Sequence, residues 1–194
     1  MTQQALLAAV LSAIDRANAA DPTLEQVDAN CEPAALLYGQ RMSQVLDEFA
    51  PEAGELLRIA VRGQHIERWK RPRKDYPEGR AGYLTWRRDA ARYHAERVCE
   101  LMAAEGYDAA SMQRVASLIR KEAIKRDADA QTLEDVACLV FMRAYFSPFA
   151  DKRTPEELYR IVEKTARKMS PEGRRAALLL PLPAELVPAI EAAE

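Results

Sequence analysis

Apolar residues recur at helical spacing along almost the whole chain. Leu6, Leu7, Val10, Leu11 and Ile14 form one stripe, and Asp21-Pro22 ends it. Pro33 suits a first helical turn, followed by Leu36, Leu37, Met42, Val45, Leu46 and Phe49. A further helix is predicted from near Pro51 to about Trp69. The stretch RPRKDYPEGRAG, with its prolines and glycines, reads as a loop. A long helix then runs from roughly Leu84 to Glu105, with Gly106 as its C-terminal cap. Asp108 caps the next helix, and Leu133 to Phe141 defines a strongly apolar one that stops before Ser147-Pro148. Thr154-Pro-Glu-Glu-Leu carries the signature of a capping box, and Ser170-Pro-Glu-Gly repeats the start.

These elements predict a single all-α domain over residues 1–194, with seven to nine helices. Its expected core holds Leu57, Ala60, Val61, Val98, Leu101, Val115, Leu118, Ile119, Val136, Leu139 and Val140. Hydrophobic residues at 48% and charged residues at 30% fit a soluble globular chain with room for a core. Asp15 and Arg16 interrupt the first apolar run, and no basic leader precedes it. The expectation is a cytoplasmic protein with no membrane partner. Cys31, Cys99 and Cys138 show no paired spacing, and Cys99 and Cys138 sit in apolar helical patterns, so buried reduced thiols are expected.

Charge changes the picture. The chain carries −2 overall, yet residues 62–97 carry +6 and hold both histidines, both tryptophans and three tyrosines. Arginine forks match phosphate and carboxylate, and guanidinium planes stack on aromatic rings. Arg62, Arg68, Arg71, Arg73, Lys74, Arg80, Arg87, Arg88 and Arg92, with Trp69 and Trp86, are therefore candidates for binding an anion. The competing reading is a solvated basic face with structural histidines. Lys168-Met169-Ser170 is similar to part of a synthetase loop, but no phosphate-binding glycine loop accompanies it.

QHIERW, PRKDYPEGRAGYLTWRR, YGQRMS, QTLEDVACLVF and KTARKMS together resemble an uncharacterised family, domain-of-unknown-function family number 4202. More distantly, the order of elements resembles the HD superfamily of all-α, metal-dependent phosphohydrolases. ELLRIAVRGQHIERW looks like the His-Asp helix with His65 as its histidine, and QTLEDVACLVF looks like the closing helix with Asp135 as its aspartate. Ile66 stands where that pattern has aspartate, and Tyr38-Gly39-Gln40-Arg41 replaces its first histidine. The resemblance implies HD-like topology and a catalytic group of His65, Asp135 and, as a substitute ligand, His94. The three would face one cavity and could hold a divalent transition metal.

Two functions follow as expectations. One is a phosphohydrolase acting on a nucleotide or small phosphate ester. The other is a non-catalytic module that binds a small phosphorylated ligand, a nucleotide or RNA such as tRNA on segment 62–97. A net acidic chain with one basic patch suits a small anion better than a long duplex. The loop from Arg71 to Arg80 is expected to contact the anion without supporting the core.

Overall fold

The computed structural model describes residues 2–27, 29–151 and 153–193, with the backbone alone for residue 125. The described residues form an all-α protein with one two-stranded hairpin. None of their helices is long and apolar enough to cross a membrane.

Helix α1 (Gln3–Asn18) starts at Thr2, whose hydroxyl accepts the Ala5 N–H. Strand β1 (Leu24–Val27) then pairs antiparallel with β2 (Asn30–Pro33), Leu24 lying opposite Pro33. Pro33 therefore closes a strand rather than opening a helical turn. The cause is Asp21, whose carboxylate accepts from Thr23 N (2.9 Å) and Ala35 N (3.0 Å). One side chain thus satisfies an otherwise orphaned donor at the start of α2 (Ala34–Phe49) and ties both ends of the hairpin.

Helix α3 (Glu55–Gly63) is shorter than expected, and α4 (Gly79–Ala104) begins five residues before Leu84. The segment between them is partly ordered, with single 3₁₀ turns at Arg68–Lys70 and Arg73–Asp75. At the end of α4, Gly106 takes φ +92°, and the N–H groups of Gly106 and Tyr107 reach back to Ala103 and Met102. That double contact is the predicted glycine cap. Asp108 accepts from Ser111 N (2.8 Å) to start α5 (Ala109–Ile119).

Helix α6 (Ala128–Val140) does not stop before Ser147-Pro148. It passes through a π turn at Phe141–Tyr145 into α7 (Phe146–Ala150). Pro148, which carries no N–H, falls just after this π turn. Helices α8 (Pro155–Ala166), α9 (Pro171–Ala177) and α10 (Val187–Glu191) follow. Thr154 and Glu157 make both hydrogen bonds of the capping box. The described helices number ten rather than seven to nine, because short α7 and α10 count separately.

Backbone packing divides the chain into two units. The first comprises Met1–Gln44 and Glu52–Glu122. In it α1, α3, α4 and α5 pack on one another and bury Val10, Ile14, Ile59, Val61, Val98 and Leu118. The second comprises Val45–Pro51 and Ala123–Glu194. There α6 packs on α9, and α10 packs on α8 and α9, burying Leu133, Val136, Val162 and Ile190. Every residue of the expected core is buried except Leu101, which is half-exposed. Cys138 is buried, Cys99 half-buried and Cys31 exposed, all three as free thiols.

The α6–α9 contact is closed at Gly173. A methyl group there would stand 2.7 Å from both Cγ and Oδ1 of Asp135. Gly173→Ala should cost about 1–3 kcal/mol of unfolding free energy, the usual penalty of overpacking. Urea denaturation checks this, and an unchanged midpoint would show that α9 is not seated against α6.

Candidate functional site

The site is built on the turn that ends α3. Gln64 caps the helix, Ile66 donates its N–H back to Gly63, and Glu67 adopts left-handed φ +50°. A non-glycine residue there is strained, and other contacts must hold it. Glu67 is only 4% exposed. Its N–H donates to Asn18 Oδ1 (2.9 Å). Its carboxylate accepts from Lys70 Nζ (2.8 Å) and the Tyr93 hydroxyl (2.5 Å), with Arg97 Nε at 3.3 Å. Burial works to raise the Glu67 pKa, but hydrogen bonds from Lys70 and Tyr93 and the charge of Arg97 leave it below its ordinary value. Tyr93 is pushed up to about 12, by burial and by this anionic partner.

Ile66 is fully buried, so the position where an HD protein has aspartate is a core position here. Its carbonyl accepts a 2.6 Å hydrogen bond from His94 Nδ1. That bond fixes the His94 tautomer, with the proton on Nδ1 and Nε2 left as a lone pair. His94 is 2% exposed, and burial brings its pKa from 6.5 down to about 4. Its ring centroid lies 5.8 Å from that of His65.

His65 thus sits just past the helix rather than on it, half-buried and stacked on Tyr38 with centroids 4.8 Å apart. Arg68 Nη1 lies 3.1 Å from His65 Nδ1 and 3.3 Å from Nε2. Burial first, then the charges of Arg68, His94, Lys121 and Arg87, hold His65 well below its ordinary pKa. Both histidines are therefore neutral at pH 7. Beneath them Gln64, 3% exposed, donates to the Tyr38 hydroxyl (2.9 Å), while its own Oε1 has no hydrogen-bond partner among the described residues.

Aromatic rings line the cations. Arg68 lies over Trp86 (5.1 Å) and Arg87 over Tyr83 (5.9 Å), and the two rings are 5.8 Å apart. Trp86 Nε1 donates to Arg71 O (2.8 Å), and the Arg71 guanidinium lies over Tyr93 (4.8 Å). Tyr38, Gln64, Tyr83 and Lys121 were not among the predicted binding residues. Tyr38 and Lys121 arrive from distant parts of the chain, and no local spacing marks them.

Other predicted residues are already engaged. Arg62 forks onto Asp15 (2.7 and 2.6 Å), and Arg92 faces Asp89 (3.6 Å) and Glu96 (4.0 Å). Arg92 lines an open cavity of about 230 Å³ with Arg71, Tyr76, Asp89, Tyr93 and Glu96, whose charges are mixed. Arg73 donates to Tyr76 O (2.9 Å) and so shapes its own loop. Lys74, Arg80 and Arg88 are exposed, and Trp69 is half-buried.

Asp135 belongs to the second unit and is occupied there. Its Oδ1 accepts from Ser170 N (2.8 Å) and Gln131 Nε2 (3.1 Å), and its Oδ2 from Ser170 Oγ (2.6 Å). Burial raises its pKa more than these bonds lower it. Ser170 in turn caps α9 through Gly173 N (2.9 Å), which gives Lys168-Met169-Ser170 a structural role. Among the described residues, no group of three or more His, Cys, Asp and Glu side chains is placed to hold a metal ion. Asp135 accepts three hydrogen bonds, and cations face His65.

The fold and this site define an all-α protein with a cation-lined pair of neutral histidines. The chain belongs to the family described as Domain of unknown function (DUF4202), which matches residues 8–190 and so runs through both units. No curated protein and no solved structure matches it significantly.

Neutral, buried His94 makes stability depend on pH. Between pH 6.5 and about 4 the unfolded chain gains a proton at this position and the folded chain does not. The associated stability is whole above pH 6.5 and drains as pH falls toward 4. The shift from 6.5 to about 4 sets this at roughly 3 kcal/mol. His94→Asn, whose amide can replace the donor to Ile66, should lose that much less than wild type in urea unfolding across this range. Parallel profiles would mean that His94 is not buried neutral.

Proposed function

We propose that this protein binds a small phosphate-bearing anion directly with its side chains at Arg68, Arg87 and Lys121, against the wall formed by His65 and Tyr38. One observation carries the reading. Arg68 and Arg87 repel one another beside a neutral histidine, and neither has a carboxylate partner among the described residues. Elsewhere in the same unit Arg41, Arg62, Arg92, Arg97 and Arg120 are paired with acids. The two exposed guanidinia lie close enough to repel, and an anion bound between them would relieve that repulsion. A bound phosphate would also favour the protonated form of His65, so binding should take up more protons as pH falls.

A hydrolytic reading, in line with the HD likeness, has one observation in its favour. The Ile66 hydrogen bond leaves His94 Nε2 free of its proton, as a base that activates water requires. It competes with a purely structural role for the same ring. Phosphate release from p-nitrophenyl phosphate, lost in His94→Asn, would support hydrolysis over binding alone.

The binding reading is tested by calorimetric titration with inorganic phosphate and pyrophosphate at constant ionic strength. Wild type should bind, and Arg68→Ala or Arg87→Ala should each weaken binding by about 1–3 kcal/mol as a charge-assisted contact is removed. Arg92→Ala, whose cation is already neutralised, should bind as wild type does. Equal losses in all three variants would reduce the effect to general surface charge.

A further inference from the structure

The geometry points to a nucleotide as the anion's carrier, with its phosphate at Arg68 and Arg87 and its base lying on the exposed ring of Tyr83 beside Trp86. This rests on the anion-binding reading above and adds what an isolated phosphate would not require. A phosphate site needs cations and hydrogen-bond donors. It does not need aromatic rings in water.

Tyr83 is 44% exposed and Leu84 52% exposed. They are two of the few large apolar side chains that face solvent among the described residues. Trp86 continues the surface, and its ring is held in place by the hydrogen bond to Arg71 O. Arg68 connects the two halves of the site. One face of its guanidinium lies toward Trp86, and Nη1 lies at 3.1 Å from His65. A group bound by Arg68 is therefore one guanidinium away from an aromatic platform, a spacing that a nucleoside monophosphate can bridge. Guanidinium and aromatic planes both stack on bases, and every base offers a π face to them.

Binding of adenosine, guanosine and cytidine 5′-monophosphates, ribose 5-phosphate and inorganic phosphate would be compared by calorimetry. The nucleotides should bind at least about tenfold more tightly than ribose 5-phosphate, the range expected for one stacked base. In Tyr83→Ala, at an exposed position, the nucleotides should bind no more tightly than ribose 5-phosphate binds the same variant. Arg68→Ala should weaken all of them. Nucleotides and ribose 5-phosphate binding alike, with Tyr83→Ala silent, would overturn the base platform and leave the anion site standing. No binding of any probe would overturn both. A single-stranded oligonucleotide that binds where mononucleotides do not would overturn the proposal in favour of a polymer.

Discussion

The first unit depends on one strained residue. Glu67 turns the chain out of α3 in a left-handed conformation that a side chain disfavours, and the surrounding contacts hold it there. Its N–H is bound by Asn18 of α1, and its carboxylate by Tyr93 and Arg97 of α4. One residue thereby joins three helices. The turn it fixes buries Ile66, presents the Ile66 carbonyl to His94, and leaves His65 half-exposed against Tyr38. A glycine at this position would relax the backbone and keep the N–H bonded to Asn18, but it would lose the carboxylate clamp on α4. The buried carboxylate, with several partners, is the more demanding arrangement, and it holds the two histidines in register.

Local chemistry was legible in the sequence, and distant pairing was not. The caps at Asp108, Thr154 and Ser170 and the glycine cap at Gly106 depend on residues within a few positions of one another, so their spacing alone announces them. The hairpin at residues 24–33 has no alternating apolar face to betray it, and Asp21 makes its decisive contacts from outside the strands. The end of α3 escaped because a left-handed glutamate has no sequence signature. At the site, His65 and His94 could be placed together because the loop between them returns the chain. Arg62 could not be removed from the candidates without Asp15, which lies 47 positions away.

Two kinds of cation stand out within segment 62–97. Arg62 and Arg97 meet acids of other segments, and Arg92 pairs with acids of its own helix. Arg68 and Arg87 meet rings instead, and a cation on an aromatic face retains most of its charge for a third partner. Composition counts both kinds equally. The distinction is geometric, and it is what turns a basic stretch into a candidate site.

The π turn between α6 and α7 places one residue more in its turn than an α-helix holds. Each residue of an α-helix advances the side-chain direction by about 100°. The extra residue at Phe141–Tyr145 therefore sets the phase of all that follows, and it is in this phase that Phe146 is buried and meets Phe141 edge-on. Phe149 meets the same ring from the next turn. A chain one residue shorter here would keep a continuous and more regular helix while rotating Phe146 and Phe149 away from Phe141. In this segment chain length acts as a rotational coordinate, and a family member that lost a single residue would have to rebuild an aromatic cluster to keep the same helix.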